Sequence, residues 1–142
     1  MLLLDTNALI WFLIEAPLED AALFEIAKAQ RANALYVSPI SAWEAALAVQ
    51  KKNPAKRPDL NGQTAREWFR KGRQTTGAKL VKIGPRIALT AARVPPLLAH
   101  PDPGDCFIIA TGMVTGHTIV TRDEKMIELS ESADSGFSTI KC

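Results

Sequence analysis

Acidic residues stand at the ends of two predicted strands, where an α/β fold would place reactive side chains. Asp5 directly follows the apolar run Leu2–Leu4, and Asp123 lies two residues beyond the predicted strand Thr118–Thr121. Because sites in open parallel sheets form outside the carboxyl ends of the strands, we expect both carboxylates at one edge of a sheet. Each residue alone is equally well explained as the N-cap of the helix that follows it.

Two further acids fall on the apolar stripes of predicted helices. On the helix that carries Glu44, the stripe consists of Ile40, Trp43 and Leu47. Asp105 is followed by apolar or small residues three, four and seven positions later. A carboxylate on a buried face is costly unless it is paired or bound to a cation. The alternatives are that Glu44 reaches solvent from the edge of its stripe, and that Asp105 interacts with its helix dipole.

Together these four acids predict a metal site. Carboxylates that converge at one sheet edge repel each other unless divalent cations lie between them. No set of Cys and His residues accompanies them, and ligands that are all oxygen favour Mg²⁺ or Mn²⁺. Two such ions can clamp a phosphodiester, activate a water and stabilise the leaving oxygen.

Short apolar strands alternate with longer helical segments along the whole chain. The predicted strands are Leu2–Leu4, Leu35–Val37, Leu80–Ile83, Thr118–Thr121 and Phe137–Ile140. The predicted helices are Ala8–Ile14, Leu18–Gln30, Pro39–Lys52, Thr64–Arg73, Pro85–Arg93, Asp105–Val114 and Glu124–Leu129. This alternation indicates βαβ units, and the apolar strands indicate a parallel sheet covered on both faces.

Length and composition favour one domain spanning residues 1–142. The chain is 47% hydrophobic and 23% charged, which excludes a disordered protein. Two cysteines, Cys106 and Cys142, are too few for a disulfide framework. Asp5 interrupts the apolar N-terminus, and no apolar run approaches the roughly 20 residues of a membrane span. We therefore expect a cytoplasmic protein with no membrane association.

The net charge of +2 conceals a strong separation of charge along the sequence. The segment from Lys51 to Arg86 carries a net charge of +9, and the remaining residues carry −7. A basic stretch of this kind is expected of a nucleic-acid groove, although it is also compatible with a solvated helix face. The proposed substrate-binding residues are Arg66, Arg70 and Arg73, which recur at helical spacing, and Arg122, which contacts either a phosphate or the acids. Trp68 and Phe69 are expected in the core rather than stacked on bases.

Three motifs in order along the chain resemble the PIN domain, and most closely the VapC-type toxins of bacterial toxin–antitoxin pairs. They are LLLDTNALIW, SPISAWEAAL and DPGDCFIIATGMVTGHTIVTRDEKM. The resemblance covers essentially the whole chain, with the basic middle segment matching least well. It implies a three-layer α/β/α fold with a parallel sheet of about five strands.

The resemblance also implies an endoribonuclease that depends on Mg²⁺ or Mn²⁺. The residues that match the family's catalytic and metal-binding acids are Asp5, Glu44, Asp105 and Asp123, and those that match supporting hydroxyl positions are Thr6 and Thr121. The family further implies a small antitoxin partner and a homodimer packed through the early helices. A metal-activated water would then attack the RNA phosphorus and leave 5′-phosphate and 3′-hydroxyl ends.

The chain departs from the family pattern at two places. Cys106 stands where many relatives have a basic residue, and Asp102 lies close enough to Asp105 to compete for its role. Asp105 is preferred because the apolar sequence FIIA follows soon after it, whereas Asp102 is interpreted as a turn residue or a supporting acid. His100 and His117 are both interpreted as surface or turn residues rather than catalytic groups.

Two other functions fit parts of the sequence. A non-catalytic module that binds RNA or protein could keep the fold, but its expected mark is the loss of one or more of the acids. A phosphatase of the haloacid dehalogenase type also places an Asp after its first strand. That chemistry needs a second Asp where this chain has Asn7.

Overall fold

Five short strands, all parallel, form one sheet in the order β3-β2-β1-β4-β5. The computed structural model describes residues 1–97 and 102–142, so the interpretation of His100 lies outside the described residues. The strands are β1 (Leu2–Leu4), β2 (Leu35–Val37), β3 (Lys79–Leu80), β4 (Thr118–Thr121) and β5 (Thr139–Lys141). The helices are α1 (Thr6–Leu13), α2 (Asp20–Arg31), α3 (Pro39–Ala48), α4 (Ala65–Thr76), α5 (Pro85–Ala91), α6 (Pro103–Thr115) and α7 (Glu124–Ser130).

The two faces of the sheet are covered by different helices. Leu2 and Leu4 of β1 pack in one core with buried residues of α1, α2 and α4. Leu3 points to the opposite face, because side chains alternate along a strand, and packs with α5, α6 and α7. The predicted three-layer α/β/α architecture is therefore confirmed, and Trp68 lies in the first core as expected.

Most element boundaries follow from local sequence signals. Strands β1, β2 and β4 have the predicted bounds, and Ser38 caps α3 as predicted by accepting a hydrogen bond from Ile40 N–H. The prediction that α3 extends to Lys52 is wrong. After Ala48 the backbone hydrogen bonds join residues three apart, as in a turn, and the α-helix ends. Helix α6 begins two residues earlier than predicted, with Asp102 as its N-cap.

The prediction that Trp43 and Leu47 form a buried stripe on α3 is also wrong. Trp43 is 44% exposed and Leu47 is 46% exposed, whereas the buried residues of this helix are Ser41 and Ala45. Helix α3 packs against α1, α4 and α6. Small side chains on the packed face allow close approach, and the large apolar side chains are left facing outwards.

The remaining expectations from composition concern cysteines and membranes. Cys106 and Cys142 are both buried free thiols, so they form no disulfide. Within residues 1–97 and 102–142, no helix has the length and apolar character needed to cross a membrane.

Arg122 ties the end of β4 to two distant parts of the chain. Its Nε donates to the carbonyl of Cys142 at 2.6 Å, and Nη2 donates to the carbonyl of Pro17 at 2.7 Å. The guanidinium also lies over the ring of Trp11, with Cζ 4.3 Å from the ring centroid. The side chain thus holds the C-terminal strand and the segment before α2 against the first helical layer.

Replacing Arg122 by Ala should lower the free energy of unfolding by about 1–3 kcal/mol, because two carbonyls lose their donor. Lys should restore little of this, because a single ammonium cannot reproduce the planar, divergent donors and the ring contact. Urea denaturation measures both effects, with Arg93→Ala as the control for loss of an exposed positive charge. Unchanged stability of Arg122→Ala would contradict the anchoring role.

Candidate metal centre

Asp5 is the most buried of the candidate acids, with 5% of its surface exposed. It lies between β1 and α1, and its carboxylate caps α1 by accepting a hydrogen bond from Ala8 N–H. Thr121, fully buried at the end of the neighbouring strand β4, also hydrogen-bonds this carboxylate. Because β1 and β4 are adjacent and parallel, their carboxyl ends bring Asp5 and Thr121 together.

Glu44 reaches the same edge from α3 and is held by two neighbouring elements. The Thr6 hydroxyl, at the start of α1, donates to the Glu44 carboxylate and also hydrogen-bonds the Ser41 hydroxyl at 2.9 Å. On the other side lies Gly104 of α6, where any Cβ would overlap the Glu44 carboxylate. The position of Glu44 therefore depends on a hydroxyl at position 6 and on the missing side chain at position 104.

The first turns of α6 and α7 supply three more acids. Asp102 caps α6 by accepting from Gly104 N–H at 2.8 Å, and Asp105 follows in the first turn of that helix. Asp123 caps α7 by accepting from Met126 N–H at 2.8 Å, and its own N–H donates to the Thr121 hydroxyl at 3.0 Å. The N-cap interpretations of Asp5 and Asp123 are thus correct, and capping leaves both residues at the shared edge.

A groove of about 670 Å³ opens over these carboxylates. Four acids line it: Asp5, Glu44, Asp102 and Asp105. Asp105 also lines a second, smaller cavity of about 350 Å³, on the side of α7, together with Asp123. Asp105 therefore lies between two openings, with Glu44 in one and Asp123 in the other.

Burial and mutual repulsion raise the pKa values of three of these acids, Asp5, Glu44 and Asp105. Desolvation is the largest cause at Asp5, whose pKa rises to about 6 despite its hydrogen bonds from Thr121 and Ala8. Desolvation also dominates at Asp105, whose pKa rises to about 7, with added repulsion from the neighbouring acids. The pKa of Glu44 is raised by burial as well, and Thr6 opposes that rise. These shifts mean that the carboxylates lack compensating positive charge.

The donor set fits a hard divalent cation. In the part of the chain that the structure describes, the one ion pair joins Lys28 to Glu25, on α2 and away from the acids. Among the same residues, no three Asp, Glu, His or Cys side chains are close enough to surround one ion directly. Mg²⁺ commonly takes only one or two carboxylates and keeps several waters. An ion of that kind matches acids that share an edge without touching each other.

The predicted basic ridge lies apart from the acidic groove. Arg66 and Arg70 are exposed on α4, and Arg70 lines a separate shallow cavity. Arg73 is half-buried, with Nε enclosed and without a hydrogen-bond partner in the described structure. The Nε and Nη2 donors of Arg122 bond to carbonyls rather than to acids, although its side chain borders the smaller cavity. A role for these four residues in RNA binding stays a prediction.

Four residues at the site were not predicted as site residues from the sequence. Lys51 and Arg57 line the groove, and Lys125 lines the smaller cavity beside Asp123. Gly104 was missed as well. A glycine in the first turn of a helix, directly before an acid, is unfavourable for helix formation and was a usable signal. Charge counting alone does not separate Lys51 and Arg57 from the other basic residues of the middle segment.

The metal-free protein should be less stable at pH 8 than at pH 5. Asp5 and Asp105 have folded-state pKa values of about 6 and about 7, above the ordinary value of 3.8. Their protonation therefore stabilises the fold at low pH, and this stabilisation is lost as the pH rises through 6 to 7. We expect Tm in EDTA to fall by about 5 °C or more across this interval.

Asp105→Asn should show a smaller fall in Tm and should exceed the wild type in stability at pH 8. Asp134→Asn, an exposed acid on a distant loop, is the matched control and should follow the wild-type profile. The raised pKa values of Asp5 and Asp105 would be contradicted if the wild-type Tm were constant or rose between pH 5 and pH 8 and Asp105→Asn followed the same profile.

Comparisons with known proteins agree with this architecture. The PIN domain family model matches residues 2–132. A search of curated proteins finds no significant match. Among solved structures, the chain is similar to a chain in the crystal structure of VapBC2 from Rickettsia felis bound to a DNA fragment from their promoter. That similarity has a TM-score of 0.67 at 12% sequence identity, and it covers 99% of this chain and 97% of the other. With the family model matching nearly its whole length, the chain belongs to the PIN domain family.

Proposed function

We propose that this chain is an endoribonuclease that depends on Mg²⁺ or Mn²⁺, acting in the cytoplasm as a single domain of residues 1–142. The observation that carries the proposal is the set of carboxylates at one sheet edge with raised pKa values and no basic partner among the described residues. Membership of the PIN domain family supports nuclease chemistry at that edge.

Four residues would hold the cation, some directly and the others through its bound waters: Asp5, Glu44, Asp105 and Asp123. When bound, a divalent ion supplies Lewis acidity, which lowers the pKa of a water and stabilises negative charge on a phosphodiester. The burial of Asp5 and Asp105 strengthens their attraction for such an ion, because charge is poorly screened there. The same ion would neutralise the repulsion between the acids.

The neighbouring residues fix the acids rather than react. Thr6 holds the Glu44 carboxylate, and Thr121 hydrogen-bonds both Asp5 and the backbone of Asp123. Such supporting hydrogen bonds typically change metal affinity or activity by 10- to 100-fold when they are removed. Asp102 caps α6 and adds negative charge beside Asp105, which is a supporting role.

The described histidine lies away from the acids. His117 precedes β4, at the opposite end of the sheet, and packs edge-on against Tyr36 with ring centroids 4.3 Å apart. Among the described residues, no imidazole is therefore placed to deprotonate a ribose 2′-hydroxyl at the site. This geometry supports hydrolysis by water, with 5′-phosphate and 3′-hydroxyl products.

The biological role we propose is that of the toxin in a type II toxin–antitoxin pair. The similarity to a chain in the VapBC2 structure supports a small antitoxin partner. A homodimer packed through α1 and α2 is supported by the exposed apolar side chains Leu23 and Phe24 on α2. Co-expression with the product of a short neighbouring reading frame tests the pairing, and sedimentation tests the dimer.

A non-catalytic binding module is the second candidate. It is disfavoured because all four acids are present and because burial at Asp5 would be costly without a bound cation. Cleavage of RNA by the purified chain distinguishes the two functions directly.

In Mg²⁺ or Mn²⁺, the wild type should cleave RNA to 5′-phosphate and 3′-hydroxyl ends, and EDTA should abolish cleavage. Asp5→Asn and Asp105→Asn should each reduce the rate by at least 100-fold, because each removes a charged ligand. Sequencing of the RNA ends and a gel assay measure these outcomes, with Asp134→Asn as the active control. Products with 2′,3′-cyclic phosphates, or cleavage that persists in EDTA, would refute the mechanism.

Gly104→Ala should reduce cleavage about 10- to 100-fold while the protein stays folded, since the new methyl group displaces Glu44 from the site. Gly84→Ala is the matched control, because a Cβ there meets no neighbouring atom within 4 Å. Equal activity of the two variants would show that the position of Glu44 does not matter.

A further inference from the structure

The outward face of α3 presents two large apolar side chains inside the groove that holds the acids. Trp43 and Leu47, one helical turn apart, are both nearly half exposed, and both line the groove together with Glu44. A solvent-facing position on a helix has no structural need for an indole, because a polar side chain would be tolerated there equally well. An exposed indole beside the acids therefore indicates a binding role. Trp43 directly precedes Glu44 on α3, so the indole lies close to the acidic site.

Positive charge continues the same face beyond the indole. Lys51 lies four residues after Leu47, just beyond the end of α3, and Arg57 follows on the loop after a short 3₁₀ turn, Pro54–Lys56. The Nε of Arg57 donates to the carbonyl of Lys51 at 2.7 Å, which fixes the arginine against the groove wall. Its two terminal nitrogens are described in no other hydrogen bond within residues 1–97 and 102–142. The groove is thus lined by carboxylates, by one exposed aromatic side chain and by two cations.

This combination of groups in one groove matches a single-stranded nucleic acid better than an apolar peptide. A polynucleotide repeats an anionic phosphate and a flat base, so a phosphate at the acidic end would place a base near Trp43 and another phosphate near Arg57. Aromatic faces stack on bases, and Arg binds phosphate oxygens with two parallel donors. A purely apolar segment would leave Lys51 and Arg57 without partners.

We propose that Trp43, with Lys51 and Arg57, forms a nucleotide subsite in which one base of single-stranded RNA stacks on the indole and an adjacent phosphate binds the two cations. This inference rests on the proposed nuclease function, because it assigns the groove beside the acids to the substrate. It places the RNA path along α3, and the predicted ridge of Arg66, Arg70 and Arg73 is not required for it.

Titration with a random-sequence, ten-nucleotide single-stranded RNA tests the subsite. Binding is followed by tryptophan fluorescence with Ca²⁺ in place of Mg²⁺ or Mn²⁺, so that a divalent cation stays beside the acids while cleavage is suppressed. The exposed Trp43 should be quenched on binding, whereas Trp68 is buried and Trp11 is covered by Arg122. By fluorescence anisotropy with labelled RNA, Trp43→Leu should weaken binding about tenfold or more, and Trp43→Phe should restore most of the affinity.

Two controls separate stacking and charge from general effects. Leu89→Ala removes another exposed apolar side chain, 68% exposed on α5 and outside the groove, and should bind RNA like the wild type. Arg57→Ala should weaken binding and lower the magnitude of the salt dependence by about 0.7, as for one lost phosphate contact on a single strand. Arg93→Ala, which removes an exposed charge outside the groove, should leave both quantities unchanged.

Cleavage assays with the same variants distinguish failure of this subsite from failure of the nuclease function. Trp43→Leu should raise KM and leave kcat near the wild-type value, since the indole binds substrate without contacting the reacting atoms. If the wild type cleaves RNA and Trp43→Leu has unchanged affinity and KM, the subsite is wrong and the nuclease function stands. If no RNA is cleaved but Trp43→Leu still weakens binding, the subsite stands and the nuclease function is wrong.

Discussion

Repulsion between carboxylates at the carboxyl end of a small parallel sheet is the constraint on which the rest of this structure depends. The acids are placed there by the backbone: Asp5 by the end of β1, and Asp105 and Asp123 by the starts of α6 and α7. Each gains local stabilisation from its own helix, yet burial raises the pKa of Asp5 and Asp105 well above the ordinary value. The fold therefore carries an electrostatic cost that a divalent cation would relieve, and that cost is the physical link between architecture and proposed activity.

The surrounding structure keeps the acids from relaxing away from each other. Thr6 and Thr121 bond the carboxylates or the adjacent backbone, and Gly104 lets α6 approach the Glu44 carboxylate closely. Away from this edge, one apolar core on each face of the sheet stabilises the fold. Arg122 belongs to the stabilising part of the structure and not to the acidic site. It lies beside Asp123 in sequence, but it bonds the distant carbonyls of Pro17 and Cys142.

The central strands and the acids were predictable because their signals are local. A strand that is apolar throughout, such as Leu2–Leu4, must lie in a sheet that is covered on both faces. An acid that directly follows such a strand is therefore placed at the edge of the sheet. The orientation of α3 was not predictable in this way. Hydrophobicity cannot distinguish Trp43 facing a groove from Trp43 facing the core, and the packed face is marked by small residues, Ser41 and Ala45, rather than by large ones. The same limit applies to Lys51 and Arg57, whose approach to the acids depends on how the segment after α3 turns back.

The proposed nuclease activity requires that the wild type bind a divalent cation through its carboxylates. Isothermal titration calorimetry with Mn²⁺ at neutral pH measures this directly on the purified chain. Stoichiometric binding that is lost in Asp105→Asn and kept in Asp134→Asn is the expected result, with proton release on binding because Asp105 has a pKa of about 7. Absence of Mn²⁺ binding to the wild type, or equal binding by Asp105→Asn, would contradict a metal site formed by these carboxylates.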